Sequence, residues 1–348
     1  MSLPLVLAID GGNWKTDLAL VQADGEVLAL VRGPQSSPHH LGLDGSLSVL
    51  GDLMAQALDQ ARLPNGDGPV AEVGQLLLAG VDSPSEAEEM RAAASSRRLA
   101  NRISVGNDTF AVLRAGTERG WGVGVVCGAG INCVGVAPDG RQARFPALGW
   151  ITGDWGGGHD VGVAAVEAAA RSEDGRGERT TLEQAVPAHF GHSTPSVLAE
   201  EFHAGRILQR RVVELAPVVF AEAARDAAAA AIVDRLAEEV VTMIRVTLER
   251  LELSREPVEV ALGGGLMQAG NPALIGAIET GVKEIAPAAT VHVTGSPPVI
   301  GAALLGLDEL EAGPEAQERL RRELAEAFPG SKTRNPVTVE KRPGRSRR

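Results

Sequence analysis

The sequence predicts an α/β protein built from two lobes, and three observations lead to this prediction. Its 348 residues exceed what one ordinary hydrophobic core holds. The apolar fraction of 44% is typical of a globular chain, and no run approaches the roughly 18 apolar residues of a membrane span. A strand, a glycine turn and a second strand also occur twice, once near the start of each half, which indicates two related lobes.

The first lobe begins with the apolar run Leu5–Ile9, which is typical of a strand buried on both faces. This run stops at Asp10-Gly11-Gly12, and the strand-like segment Leu18–Val21 follows. In the dinucleotide-binding unit a glycine turn opens a helix instead. The returning strand therefore predicts a different α/β arrangement.

The second lobe repeats this beginning with Val123–Cys127 and then Cys133–Ala137, on either side of a glycine turn. The segment Gly149–Gly162 interrupts the pattern. After it, Ala216–Leu253 is rich in alanine and carries an apolar stripe at helical spacing. That stripe is either core or a dimer interface, and the pattern leaves both open.

These patterns divide the chain into a first lobe over 1–116 and a second lobe with a helical insertion over 117–310. A helix over 297–310 closes the second lobe and is expected to pack back on the first. A terminal helix is predicted over 311–330. The remaining 331–348 carries seven Lys or Arg and one Glu, which predicts a solvated, disordered tail or a weak contact with a polyanion.

The net charge of −12 argues against a general nucleic-acid binder, which needs a basic face. Two cysteines are too few for a disulfide framework in a chain of this size. The first residues also lack the basic and apolar pattern of a secretory leader. We therefore expect a cytoplasmic protein without a membrane partner.

Three glycine corners carry the functional signal. They are Gly11-Gly12, Gly128-Ala129-Gly130 and Gly263-Gly264-Gly265, each at the end of a strand. Glycine lets backbone N–H groups approach a phosphate without a Cβ in the way. Two such hairpins that face each other across a cleft can hold a triphosphate, and the third corner can accept the nucleoside. The alternative is three unrelated turns.

Six segments form an ordered set of motifs along the chain: Leu7–Asp17, Gly106–Ala111, Cys127–Cys133, Gly149–Gly156, Leu262–Gly265 and Pro297–Ala302. This set resembles the actin-like sugar kinase and Hsp70-type ATPase superfamily, and within it the BadF/BadG/BcrA/BcrD family that contains N-acetylglucosamine kinase. The resemblance covers about residues 4–310 and implies two ribonuclease H-like (actin-like ATPase) lobes with a nucleotide cleft between them.

The resemblance implies a kinase that uses ATP and Mg²⁺. Asp10 aligns with the carboxylate that holds Mg²⁺ through its water shell, and Asp108 aligns with the catalytic base. The structural alternative for Asp108 is an N-cap of the predicted helix Thr109–Ala115, because Asp and Asn are preferred caps. The residues expected to contact nucleotide phosphates or adenosine are Gly11, Gly12, Asn13, Lys15, Thr16, Gly128, Ala129, Gly130, Gly263, Gly264 and Gly265.

An amino sugar is the implied acceptor, with N-acetylglucosamine converted to its 6-phosphate, and a homodimer is the implied assembly. Short amides and carboxylates suit the recognition of sugar hydroxyls, although the same residue types also occur in ordinary turns. The residues expected to contact the sugar are Asn107, Asn132, Gly153, Asp154, His39 and His40.

Several positions depart from the family pattern. Trp14 stands where the first loop usually carries a small hydroxyl residue, and Ala129 stands where Thr is common in the second loop. Thr16 is a candidate to replace the lost hydroxyl, and Lys15 either reaches phosphate or faces solvent. The segment Ser36–His40 lacks the Asn and Trp of the family's Ser/Thr-Asn-His-Trp motif, which leaves the identity of the sugar open.

Two other functions remain open. One is a non-catalytic, regulatory protein that binds sugar or nucleotide, which the changes at Trp14 and Ala129 favour. The other is the ATPase activator of 2-hydroxyacyl-CoA dehydratases, which binds an iron–sulfur cluster through two cysteines of each subunit. Cys127 and Cys133 flank the second glycine turn, which is a poor arrangement for such a cluster.

Overall fold

The structure is a computed structural model that describes residues 3–64, 66 and 68–328, so the basic tail predicted over 331–348 lies outside the described residues. Its first sheet has the strand order β3-β2-β1-β4-β5. Strands β1, β2 and β3 are antiparallel, whereas β4 and β5 run parallel to β1. The five strands are β1 (Leu5–Gly11), β2 (Lys15–Gln22), β3 (Val27–Pro34), β4 (Ala71–Leu78) and β5 (Ala100–Gly106).

The second sheet has the order β10-β9-β6-β7-β8, with the same pattern of antiparallel and parallel neighbours. Each strand of the first sheet thus has an equivalent in the second, which confirms the predicted two-lobed α/β fold. The five strands are β6 (Gly122–Cys127), β7 (Ile131–Val136), β8 (Gln142–Arg144), β9 (Glu259–Gly263) and β10 (Thr290–Val293).

Twelve α-helices in the described residues surround these sheets, and none is long and apolar enough to cross a membrane. Short 3₁₀ helices lie at Gly149–Ile151 and Gln209–Leu215. The α-helices are α1 (Pro38–Ala61), α2 (Pro84–Ser96), α3 (Thr109–Gly116), α4 (Gly157–Glu173), α5 (Leu182–His189), α6 (Pro195–His203), α7 (Ala216–Glu222), α8 (Ala227–Leu251), α9 (Gly265–Gln268), α10 (Pro272–Ile285), α11 (Pro298–Glu309) and α12 (Pro314–Ala327).

Helices α3 and α11 lie between the two sheets. Helix α11 packs against β1 and α3, so close to α3 that a Cβ at Gly301 would lie 1.9 Å from the carbonyl oxygen of Ala111. The other side of α3 faces the second sheet, where a Cβ at Gly263 would meet Val112 at 2.6 Å. Helix α12 joins the same apolar cluster as β1 and α11. These contacts place the two strand edges that carry the glycine corners opposite each other.

The long helix predicted over Ala216–Leu253 is two helices, because the chain leaves helical geometry at Asp226, which caps α8 through its carboxylate. The apolar stripe of α8 is buried within the chain. Its members Leu236, Val240 and Ile244 have no exposed surface. The stripe therefore forms the core of the second lobe and is not available as a dimer interface.

Candidate active site

A cavity of about 290 Å³ opens between the lobes at the carboxyl ends of their central strands. Both lobes contribute to its walls, which is the arrangement expected for a nucleotide cleft. The residues that line it are Gly12, Asn13, Trp14, Lys15, Ala79, Gly80, Asp82, Asn107, Asp108, Val126, Gly128, Ala129, Gly130, Ile131, Asn132 and Ala147.

Two carboxylates stand at strand ends of the first lobe. Asp10 lies in β1 and is only 7% exposed, and Asp108 follows β5 and is partly buried. Burial, and then the negative charge of Asp108, raise the pKa of Asp10 to about 7. Burial, and then the negative charge of Asp82, raise the pKa of Asp108 to about 7. Both carboxyls therefore bind a proton, or a compensating cation, far more readily than an ordinary Asp.

Asp108 does not cap helix α3 through its side chain. Asp108 occupies the N-cap position of α3, but its side chain makes no capping hydrogen bond. The neighbouring Asn107 performs that function, because its Oδ1 accepts from the N–H of Thr109 at 2.9 Å. The Asp108 carboxylate is therefore left to face the cavity.

The first glycine loop is a tight turn in which the N–H of Gly12 donates to the carbonyl of Lys15 at 2.8 Å. The Lys15 ammonium pairs with the buried Asp17, which also accepts a bidentate contact from Arg32 at 2.6 and 2.9 Å. Lys15 lines the cavity, and its ammonium group is held there by the ion pair with Asp17. Sequence patterns did not indicate this ion-pair cluster.

Thr16 does not lie where it could make the phosphate contact that the sequence predicted. It has no exposed surface, and its hydroxyl donates to the equally buried Ser36 at 2.8 Å. The first-loop residues at the cavity are Gly12, Asn13, Trp14 and Lys15, and Trp14 is 71% exposed. Gly11 lies behind them, where a Cβ would meet Leu78 at 2.4 Å. Neither Thr16 nor Gly11 lines the cavity.

The second glycine loop rests on the N-terminus of α4, a helix that the sequence pattern missed because its first turn is rich in glycine. The N–H of Gly158 donates to the carbonyl of Gly128 at 2.8 Å. A Cβ at Gly157, whose φ is +73°, would lie 2.5 Å from the backbone of Gly130. The positive end of the α4 dipole is thus directed at this loop, which favours an anion there.

The third glycine corner lies behind the second loop and does not line the cavity. A Cβ at Gly264 would lie 2.4 Å from the carbonyl oxygen of Cys127, and Gly263 packs against α3. Gly265 faces open space at the start of α9. The corner is therefore directly behind the loop expected to hold phosphate.

The predicted sugar contacts fall into two groups. Asn107 and Asn132 line the cavity from opposite lobes. Gly153 and Asp154 belong to a loop outside it, where the Asp154 carboxylate accepts from the hydroxyl of Thr152. His39 and His40 are exposed at the start of α1 and also do not line the cavity.

His39 still lies at the rear of the cavity wall. Its ring would be 3.0 Å from a Cβ at Gly80, a cavity residue, and its Nε2 lies 3.2 Å from Glu86 Oε1. No group of three His, Cys, Asp or Glu side chains able to hold a metal ion occurs in the described part of the chain. The adjacent histidines thus have no partners for a zinc site there.

Asp82 is an ionisable cavity residue that sequence analysis missed. It follows β4 and its Oδ1 accepts from Asn107 Nδ2 at 2.7 Å, while burial raises its pKa to about 6. The available signal was its position shortly after a predicted strand that is parallel to β1 and β5, since such strand ends meet at one edge of the sheet. The first lobe thus directs three carboxylates, those of Asp10, Asp82 and Asp108, toward one region.

The donor set fits a hard divalent cation. Asp10 offers a buried carboxylate, and Lys15, the cation with the largest electrostatic effect on it, is already paired with Asp17. A single strand-end carboxylate suits Mg²⁺, which keeps most of its water shell. Asp10 is the residue that would hold the ion.

Two topologically equivalent α/β lobes with glycine loops and carboxylates at a shared cleft define an actin-like ATPase fold. The comparisons with known proteins agree. A sequence model of the BadF/BadG/BcrA/BcrD ATPase family matches residues 7–306. The chain belongs to this family, which confirms the resemblance inferred from its motifs.

Two characterised relatives are kinases. The chain is 27% identical over 263 residues to an N-acetylmuramic acid/N-acetylglucosamine kinase of Clostridium acetobutylicum, a match that covers 75% of this chain and 85% of the relative. It is 25% identical over 320 residues to an N-acetyl-D-glucosamine kinase of Dictyostelium discoideum, covering 88% and 99%.

Solved structures show the same fold. A Chromobacterium violaceum protein proposed to be an N-acetylglucosamine kinase is 26% identical, with a TM-score of 0.70 over 88% of this chain and 99% of that one. A glucokinase of the ROK family from Streptomyces griseus, in complex with glucose and AMPPNP, superposes with a TM-score of 0.50 at 14% identity over 87% and 99%. At that identity the likeness concerns the fold alone.

Proposed function

We propose that this chain transfers the γ-phosphoryl group of ATP to a hydroxyl of an amino sugar, with N-acetylglucosamine as the acceptor and its 6-phosphate as the product. The observation that carries the proposal is that Asp108 from one lobe and the glycine loop Gly128-Ala129-Gly130 from the other line one cavity. The buried Asp10 lies close enough to Asp108 for the charge of Asp108 to raise its pKa. The kinases to which the chain is similar support the choice of acceptor.

Asp108 is the general base in this proposal. Phosphoryl transfer requires a group that accepts the proton of the attacking hydroxyl as its bond to phosphorus forms. The pKa of about 7 makes the Asp108 carboxylate a better proton acceptor near neutral pH than an ordinary Asp. Its side chain is not engaged in capping α3, so its orientation is determined by the turn that carries it.

The nucleotide lies across both glycine loops. The N–H groups of Gly12 and Gly128 donate within their own turns. The backbone N–H groups of Asn13 in the first loop and of Ala129 and Gly130 in the second therefore bind the phosphates, and the α4 dipole adds to their attraction. Gly264 and Gly265 lie on the adenosine side. Asp10 holds the Mg²⁺ ion, which when bound neutralises charge on the phosphates.

The sugar lies between Asn107 and Asn132. The Asn107 oxygen already accepts from Thr109, so its remaining amide N–H and the amide of Asn132 donate to the sugar hydroxyls. In this open arrangement Gly153, Asp154 and the two histidines lie outside the cavity. We propose that the lobes close on the substrates and bring the loop over 149–156 to the sugar. Closure also excludes water that would otherwise hydrolyse ATP.

The test is sugar-dependent release of ADP from Mg-ATP, measured in a coupled assay. The panel contains N-acetylglucosamine, glucosamine, N-acetylmannosamine, N-acetylmuramic acid and glucose. We expect turnover with N-acetylglucosamine, none without sugar, and a large loss in Asp108→Asn. Asp44→Asn is the matched control, because the Asp44 side chain is fully exposed on α1. ADP release that is independent of sugar would contradict the proposal.

A regulatory protein is the second candidate, favoured by one observation. Trp14 and Ala129 line the cavity where hydroxyl residues are common in the family, so two phosphate contacts are missing. Thermal stabilisation by a sugar of the panel, together with no phosphotransfer to any of them, would support this candidate.

The dehydratase activator is disfavoured. Cys127 and Cys133 have no exposed surface, and burial raises the pKa of each thiol to about 12. Iron–sulfur ligation needs accessible thiolates. These two cysteines behave as small core residues.

The assembly and the compartment are part of the proposal. We propose a cytoplasmic homodimer whose interface lies outside the α8 stripe, since that stripe is buried within the chain. Light scattering on the purified protein measures the mass directly, and a value near the 36.1 kDa of one chain would contradict the dimer.

A further inference from the structure

Asp82 and Asn107 link the ends of two neighbouring strands at the cavity. Asp82 follows β4 and Asn107 follows β5, and the carboxylate Oδ1 of the first accepts from the amide Nδ2 of the second at 2.7 Å. Both residues line the cavity together with Asp108. Hydrogen bonds to a charged acceptor are among the stronger ones in proteins.

The Asn107 side chain is held at both ends. Its Oδ1 accepts from the backbone N–H of Thr109 at 2.9 Å and from the Thr109 hydroxyl at 2.6 Å. Asn107 is 6% exposed and Thr109 has no exposed surface. The amide therefore fixes the backbone on both sides of Asp108, and the bond from Asp82 fixes the amide.

Asp82 itself lies on a rigid support. The N–H groups of Asp82 and Ser83 donate to Glu86 Oε2 at 3.0 and 2.8 Å, within the capping box that begins α2. His39 contacts the other oxygen of this carboxylate at 3.2 Å. The chain of contacts thus runs from the start of α2 through Asp82 and Asn107 to the turn that carries Asp108.

We propose that Asp82 is a positioning residue for Asp108, acting through its hydrogen bond to Asn107. The inference rests on the proposed function, because it assumes that Asp108 accepts the proton of the sugar hydroxyl. Displacing a catalytic group by about 1 Å can reduce turnover about 100-fold. Asp82 would affect the chemical step without contributing to nucleotide binding.

The kinetic test compares Asp82→Ala with Asp82→Asn. We expect Asp82→Ala to lower kcat by about 10- to 100-fold with little change in the KM for ATP. Asp82→Asn should keep kcat within about fivefold of wild type, because its amide oxygen can accept the same bond. Loss of the Asp82 charge should also lower the pKa of Asp108 and move the acidic limb of the pH–rate profile to lower pH. The double variant Asp82→Ala/Asn107→Ala should lose no more activity than the less active of the two single variants, since both substitutions break the same hydrogen bond. Asp44→Ala is the matched control, because the Asp44 side chain is fully exposed.

A second measurement does not depend on activity. Hydrogen–deuterium exchange of a peptide over 105–113 should be about tenfold faster in Asp82→Ala, and unchanged in Asp82→Asn and Asp44→Ala. Equal kinetic losses in the Ala and Asn variants, or unchanged exchange in Asp82→Ala, would overturn the inference. A wild-type protein that phosphorylates no sugar would refute the proposed function, whereas the exchange data would still decide whether Asp82 holds the turn.

Discussion

Asp108→Asn is expected to lower activity and raise stability at the same time. The substitution keeps the shape of the side chain and removes a carboxyl that is partly buried close to Asp10 and Asp82. General-base catalysis is worth about 10²- to 10⁴-fold, so kcat should fall within that range. Because the Asp108 carboxyl does not cap α3, no helix-capping bond is lost.

The stability change follows from the raised pKa. Between the ordinary pKa of 3.8 and the folded value of about 7, the folded protein binds a proton at Asp108 that the unfolded chain releases. The stability contributed by this protonation is therefore complete below about pH 4 and is lost as the pH rises to about 7. Asparagine does not titrate, so the Asp108→Asn variant does not lose this stability as the pH rises.

The magnitude has an upper limit of about 4 kcal/mol, at about 1.4 kcal/mol for each of roughly three pKa units. Asp10 titrates in the same range and repels Asp108, so we expect about half of this limit. The stability of Asp108→Asn relative to wild type should therefore increase by about 2 kcal/mol on going from pH 5 to pH 8. For a chain of this length, the entropy of unfolding makes a stability difference of about 2 kcal/mol equal to a shift of about 3 °C in melting temperature.

The assay is thermal unfolding of wild type, Asp108→Asn and Asp44→Asn at pH 5 and pH 8, without metal or nucleotide. The difference in melting temperature between Asp108→Asn and wild type should grow by about 3 °C at the higher pH. The exposed Asp44 control should show no such growth. A difference in melting temperature that is independent of pH, with kcat preserved, would refute the assignment of Asp108 as a catalytic base with a raised pKa.

Three further predictions concern the glycine loops and the cysteines. Trp14→Thr should lower the KM for ATP about fivefold, because one hydroxyl–phosphate bond is worth about 1 kcal/mol, and saturation kinetics will measure this. Gly157→Ala should weaken nucleotide binding at least about tenfold in calorimetry, since its Cβ would displace the second loop, whereas Gly175→Ala, also at positive φ but with open space around it, should not. Cys127 and Cys133 should resist a thiol reagent until the protein unfolds, because both are buried with raised pKa values.

The strand ends were predictable from the sequence because their signals are local. An apolar run that stops at Asp10-Gly11-Gly12 or at Gly128-Ala129-Gly130 marks a strand and its turn without reference to the rest of the chain. Asp108 was found in the same way, at the end of β5. The repeated order of these signals was enough to predict two α/β lobes.

Contacts between distant segments were not predictable in this way. The hydroxyl of Thr16 faces Ser36 and not the cavity, and the Lys15 ammonium at the cavity pairs with Asp17. The loop pattern indicated neither contact. The apolar stripe of α8 fits a core and a dimer interface equally well until its neighbours are known. Helix α4 was missed because its glycine-rich first turn has low helix propensity, which its contact with the second loop overrides.

The sequence by itself determined which residues end the strands, and therefore which glycines and carboxylates could meet at one edge of each sheet. Only the tertiary structure decided that Asp82 holds Asn107 beside Asp108, and that Asp154 and His39 stay outside the cavity. The physical reason is that a strand end is specified by short-range patterning, whereas a hydrogen bond across 25 positions depends on how β4 and β5 pair and on which side chains that pairing brings within reach.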